Sequence, residues 1–75
     1  MERYHVTKRK DGRWDVKAEN SGKPSITCDT QQEAIDMAVH YIGRKGEGVI
    51  LIHGAYKTEQ SQPGRINRVQ IVYAD

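Results

Sequence analysis

Hydrophobic and polar residues alternate with period two from the start of the chain. Tyr4 and Val6 stand against Arg3, His5 and Thr7, and after a break Trp14, Val16 and Ala18 stand against Arg13, Asp15 and Lys17. Alternate residues of an extended chain point to opposite faces, so both segments predict half-buried strands. Between them, Arg9-Lys10-Asp11-Gly12 ends in an Asp-Gly pair suited to the positive φ of a tight hairpin, so the two strands are expected to pair antiparallel. Asn20-Ser21-Gly22-Lys23-Pro24 concentrates turn formers. Ser25-Ile26-Thr27-Cys28 after it reads as a third strand with Ile26 and Cys28 inward.

The period then changes. Thr30 and Glu33 form a capping box: the Thr30 hydroxyl is expected to accept from the Glu33 amide while the Glu33 carboxylate reaches back. At 100° per residue, Ala34, Ile35, Ala38, Tyr41 and Ile42 fall in one stripe with Val39 at its edge, and Glu33, Asp36, His40 and Arg44 point away. This predicts a helix with one face on the sheet, ending near Arg44 or Lys45 with Gly46 as a left-handed cap. Val49-Ile50-Leu51-Ile52 is apolar at four consecutive positions. That pattern suits a strand covered on both faces, or one whose outer face meets another chain. Residues 55–64 have the composition of a flexible loop, and apolar character resumes over 66–73, where a terminal strand is expected to pair with the fourth. The fold expected is α+β: an antiparallel three-stranded sheet backed by one helix, followed by one or two further strands.

Composition narrows this to one domain over residues 1–75. With 36% hydrophobic residues, no Phe and one Trp, the core must be thin, while 29% charged residues at a net charge of +2 lie outside the disorder signature. The longest apolar run has four residues, far short of the roughly 20 needed to cross a bilayer, and Met1-Glu2-Arg3-Tyr4 lacks the apolar stretch of a signal peptide. A soluble cytoplasmic protein is expected. A lone Cys28 forms no internal disulfide and no cysteine-based zinc site.

The order of Tyr4-His5-Val6, Gly12-Arg13-Trp14-Asp15-Val16-Lys17, Asp29-Thr30 with Glu33-Ala34-Ile35 and Ala38, and Leu51-Ile52-His53-Gly54 resembles the small bacterial and phage domain-of-unknown-function family 2188 (DUF2188). The similarity covers about Arg3 to Gly54, with Gly64-Arg65-Ile66 resembling the family's following turn displaced by an insertion. It implies a fold and no activity. The run from Gly12 through Lys17 to Glu33-Ala34 is also similar, at the level of fold, to AP2-type and integrase arm-type three-strand DNA-binding domains. Those lay the outer sheet face in the major groove, and folds host many functions.

Charge is unevenly spread. Residues 1–25 hold seven Lys or Arg against four Asp or Glu, residues 26–48 hold two against four, and the rest three against two. The basic hairpin half supplies Arg3, Lys8, Arg9, Lys10, Arg13 and Lys17 as candidate nucleic-acid contacts, since such side chains neutralise phosphates and Arg can fork onto guanine. The plain alternative is a solvated sheet face of mixed charge, with Asp15 and Glu19 interrupting the basic patch. Trp14 and Tyr4 share the parity of Val16 and Val6 and are assigned to the core. His5, His40 and His53 lie on three elements without helical ligand spacing, so no metal site is expected, and His53 before Gly54 is placed to bond a strand-end carbonyl. Cys28 faces inward, which argues against a nucleophile. Gly43, Gly46 and Gly48 follow the helix, whereas a phosphate cradle precedes one.

Neither a catalytic site nor a cofactor is expected. Two functions stay open. The first is a small non-enzymatic DNA-binding protein that uses the outer sheet face and basic hairpin. The second is a protein-interaction or regulatory module of phage or mobile-element type, acting through the apolar fourth strand and the C-terminal strand with a protein partner or by self-association.

Overall fold

A computed structural model describes residues 2–54, 64–66 and 68–74. The elements run β1 (Glu2–Lys8), β2 (Trp14–Ala18), β3 (Ile26–Cys28), α1 (Gln31–Gly43), β4 (Gly48–His53), β5 (Gly64–Ile66) and β6 (Val69–Tyr73). All six strands join one sheet in the order β3-β2-β1-β4-β6-β5. The first hairpin forms as its residues dictate. Arg9 donates to the Arg13 carbonyl at 2.7 Å, Gly12 takes a φ of +90°, and β1 pairs antiparallel with β2, as β2 does with β3.

The capping box is present in altered form. Thr30 caps α1 and accepts from the Glu33 amide at 3.1 Å, but the Glu33 carboxylate accepts from the Thr30 hydroxyl at 3.0 Å instead of reaching the cap amide. Ala34, Ile35, Ala38 and Ile42 are buried against the sheet, Met37, Val39 and Tyr41 pack at the margin, and Glu33, Asp36, His40 and Arg44 face solvent. Tyr41 stacks on Tyr4 with ring centroids 5.8 Å apart. Arg44 closes the helix, and Gly46, at φ +114°, turns the chain into β4.

The first three strands pair antiparallel as expected, and the whole sheet is mixed: β4 lies parallel to β1 and β6 lies parallel to β4. The physical reason is the crossover: α1 lies across one face of the sheet, so the chain re-enters β4 in the direction of β1 instead of turning back by a hairpin. The terminal strand begins at Val69, not residue 66. Gly64–Ile66 is a separate edge strand antiparallel to β6, and the expected loop, apart from Gly64, lies outside the described residues. Among the described residues, no helix is long and apolar enough to cross a membrane.

The core forms between α1 and one sheet face. Val6, Val16, Ile42, Ile50 and Ile52 are fully buried; Tyr4, Trp14, Cys28, Val69 and Ile71 complete the layer, and Ile26 is only partly covered. No buried side-chain polar atom among the described residues lacks a partner. Among the described residues no helix lies on the opposite sheet face, and the outward side chains of β1, β2, β4 and β6 are displayed there.

Candidate functional site on the open sheet face

Alternation and register determine what this face displays. Opposite the buried positions of each strand stand Arg3, His5 and Thr7 on β1, Asp15 and Lys17 on β2, Thr27 on β3, Val49, Leu51 and His53 on β4, and Gln70 and Val72 on β6. Pairing aligns them in rows: Lys17, His5, Leu51 and Val72 form one, and Asp15, Thr7 and His53 another. The apolar run Val49-Ile50-Leu51-Ile52 is thereby divided. Ile50 and Ile52 enter the core, while Val49 and Leu51 are half-buried on the open face, with Val72 beside Leu51.

The two central strands bring His5 and His53 together. Nδ1 of His5 and Nε2 of His53 are 2.9 Å apart, the ring planes lie within 15° of parallel, and the centroids are 5.1 Å apart. A centroid distance that much longer than the nitrogen distance means the rings meet edge to edge with the two nitrogens facing each other. Nε2 of His5 lies 3.3 Å from Glu19 Oε1, which also receives Arg3 Nε at 3.2 Å. A carboxylate only accepts, so this network assigns the His5 proton to Nε2 and leaves Nδ1 to accept from the His53 Nε2–H. Burial, and secondarily the neighbouring His5, pushes the His53 pKa below its ordinary value.

The candidate contacts do not assemble into one positive surface. Arg3 pairs with Glu19, Arg9 with Asp11 at 3.4 Å and Asp15 at 3.3 Å, and Arg13 with Asp29 at 3.2 Å. Arg13 precedes β2 and lies by the β3 edge rather than within the open face, against a shallow hollow lined by Thr27, Cys28, Asp29, Glu33 and Met37. Lys8 and Lys10 project at the hairpin end. Lys17 alone of the three lysines lies on the face, and none has an ion-pair partner among the described residues. On the face itself Arg3 and Lys17 are balanced by Asp15 and Glu19, and Asp15 also accepts from the Thr27 hydroxyl at 2.7 Å.

Cys28 is buried, and desolvation, with Glu33 and Asp29 nearby, pushes its thiol pKa up, which holds it in the unreactive protonated form. The side chain of His53 bonds His5 rather than a strand-end carbonyl. Glu19 and the histidine pair are what sequence reasoning missed. The only available signal was that both histidines sit in the quoted segments Tyr4-His5-Val6 and Leu51-Ile52-His53-Gly54, and their meeting required the parallel register of β1 with β4. Among the described residues no group of three or more His, Cys, Asp or Glu is arranged to hold one metal ion together.

A family model described as "Uncharacterized protein conserved in bacteria (DUF2188)" matches residues 4–62. No curated protein and no solved structure matches the chain, so the likeness to three-strand DNA-binding domains gains no support.

Proposed function

The chain belongs to the DUF2188 family, and from that premise we propose that it is a small non-enzymatic interaction module whose open sheet face docks against the same face of a second copy. The observation that carries this reading is the half-buried apolar strip of Val49, Leu51 and Val72 at the middle of a sheet face over which no helix lies among the described residues. Apolar side chains on such a face gain roughly 25 cal/mol per Å² when a partner covers them. The molecule is a slab of 31 × 30 × 18 Å, and its broad face is comparable in extent to the roughly 800 Å² per partner of a standard interface. Charge also suits a two-fold arrangement, since a face with Arg3 and Lys17 balanced by Asp15 and Glu19 does not repel its copy.

DNA binding through the same face is the reading less favoured, because Arg3, Arg9 and Arg13 are each held by carboxylates. Sedimentation equilibrium separates the two. The wild-type chain is expected to show a concentration-dependent dimer that Leu51→Lys converts to monomer, without loss of helical circular dichroism. A monomer at millimolar concentration overturns the proposal. Salt-sensitive duplex binding that Lys17→Glu with Arg13→Glu abolishes would move the assignment to nucleic acid.

A further inference from the structure

We propose that His5 and His53 form a two-nitrogen site for a divalent first-row transition cation, with Cu²⁺ and Ni²⁺ preferred over Zn²⁺. Both donor atoms belong to one chain, and because they lie on the face that self-docking would cover, the site is that of the monomer. Nδ1 of His5 and Nε2 of His53 stand 2.9 Å apart on adjacent strands. Imidazole–metal bonds of roughly 2.0–2.1 Å to nitrogens at that separation enclose an angle of about 90° at the metal. Neighbouring ligands of a tetragonal or square-planar ion subtend this angle, and such sites with nitrogen and oxygen donors select Cu²⁺ or Ni²⁺. The general affinity order of the first-row divalent ions likewise places Cu²⁺ above Zn²⁺.

Glu19 supplies a second, independent feature. Histidines that bind metals commonly donate their other ring N–H to a carboxylate, which sets the tautomer and orients the ring. Glu19 Oε1 is placed to accept from His5 Nε2, leaving the Nδ1 lone pair for the cation. Arg3 in turn holds the carboxylate at 3.2 Å. Half-burial of His53 favours the neutral ring that a ligand must be.

Loading displaces the proton shared between the rings. The His53 Nε2 proton goes to solvent and His53 Nδ1 takes one up, so both imidazoles stay neutral and no net proton is released. Each ring pivots about its broad terminal torsion until the lone pairs converge. Glu19 is engaged at the far nitrogen of His5, and no third His, Cys, Asp or Glu among the described residues is placed to ligate the same ion, so water completes the coordination from the solvent side. Near the pair, the cationic groups Arg3 and Lys17 are offset by Glu19 and Asp15, so the cation approaches a nearly neutral surface.

The test is a titration of the untagged chain with CuCl₂, NiCl₂ and ZnCl₂ at pH 7.5, read by competition with a chromophoric chelator at a concentration low enough to keep the chain monomeric. Electron paramagnetic resonance of the Cu²⁺ form supplies the ligand count. The expected result is one Cu²⁺ per chain with two equatorial imidazole nitrogens, binding tighter than Zn²⁺. His5→Ala and His53→Ala should each weaken it at least tenfold, with His5→Gln and His53→Gln repeating the loss if an alanine variant fails to fold. His40→Ala, on the exposed helix face, should change nothing. Glu19→Gln should weaken binding by roughly the 10–100-fold typical of such supporting carboxylates, with the two-nitrogen signature kept. Binding that survives loss of either histidine, a signature of one nitrogen, or loss with His5→Ala but not His53→Ala overturns the proposal.

Discussion

Replacing Gly48 by alanine tests the close approach of β1 and β4 on which the histidine pair depends. Gly48 opens β4 opposite Glu2, is buried, and its amide donates to the Arg68 carbonyl at 3.3 Å. A Cβ built there would overlap the Glu2 carbonyl oxygen and stand 2.8 Å from Ile42 Cγ2 and 3.1 Å from the Glu2 carbonyl carbon. Ile42 could turn aside, but the Glu2 carbonyl belongs to the backbone and moves only with β1. Overpacking of this kind costs about 1–3 kcal/mol, and backbone involvement places Gly48→Ala at the upper end. A 75-residue domain has roughly 4–11 kcal/mol of stability in total. At about 4–8 °C per kcal/mol for this size, the expected fall in Tm is about 10–20 °C. Thermal unfolding followed by circular dichroism measures it, with Gly43→Ala as the control. Gly43 is the last helical residue and its Cβ would meet nothing within 4 Å, so alanine there should stabilise, by up to about 1 kcal/mol. A Gly48→Ala chain as stable as wild type would refute the close packing of β4 on β1 and Ile42.

Three further outcomes follow from the same geometry. Thr30→Ala removes the hydroxyl that caps α1, which should cost about 1 kcal/mol, read as a lower urea midpoint at unchanged m. The lowered pKa of His53 means that, between its folded value and the ordinary 6.5, the folded chain binds fewer protons than the unfolded one. This contribution to stability is complete above pH 6.5 and is lost as the pH falls to and through the folded value. Urea midpoints at several pH values between 5 and 8 should show that decline, and His53→Gln should remove its share; equal declines in both chains would sink the assignment. The buried, protonated Cys28 should react with a thiol reagent only at the rate of unfolding, checked by comparing labelling in water and in 6 M urea.

What could be read without a structure was local. The hairpin at Asp11-Gly12, the Thr30–Glu33 cap and the stripe from Ala34 to Ile42 each rest on residues within a few positions of one another. Torsional preference and helical periodicity decide them, and each stands where its residues place it. The parallel pairings of β4 were not legible, because nothing within Val49-Ile50-Leu51-Ile52 records the direction in which a crossover returns it. β5 has only Gly64, Arg65 and Ile66, too few residues for a periodicity. The histidine pair depended on the first of these, the parallel pairing of β4 with β1. His5 and His53 are 48 positions apart and diagonal across a parallel register, a relation no spacing rule expresses. The basic half was visible in the sequence, while the pairing of its arginines with carboxylates on neighbouring turns and strands is something a count of charges does not show.

The open sheet face is most directly tested by isotope-filtered nuclear Overhauser spectroscopy on a mixture of labelled and unlabelled chains. Self-docking through this face predicts intermolecular cross-peaks to the methyl groups of Val49, Leu51 and Val72, absent in Leu51→Lys. Cross-peaks confined to the β3 or β5 edge, or none at a concentration where the chain is fully dimeric, would contradict it.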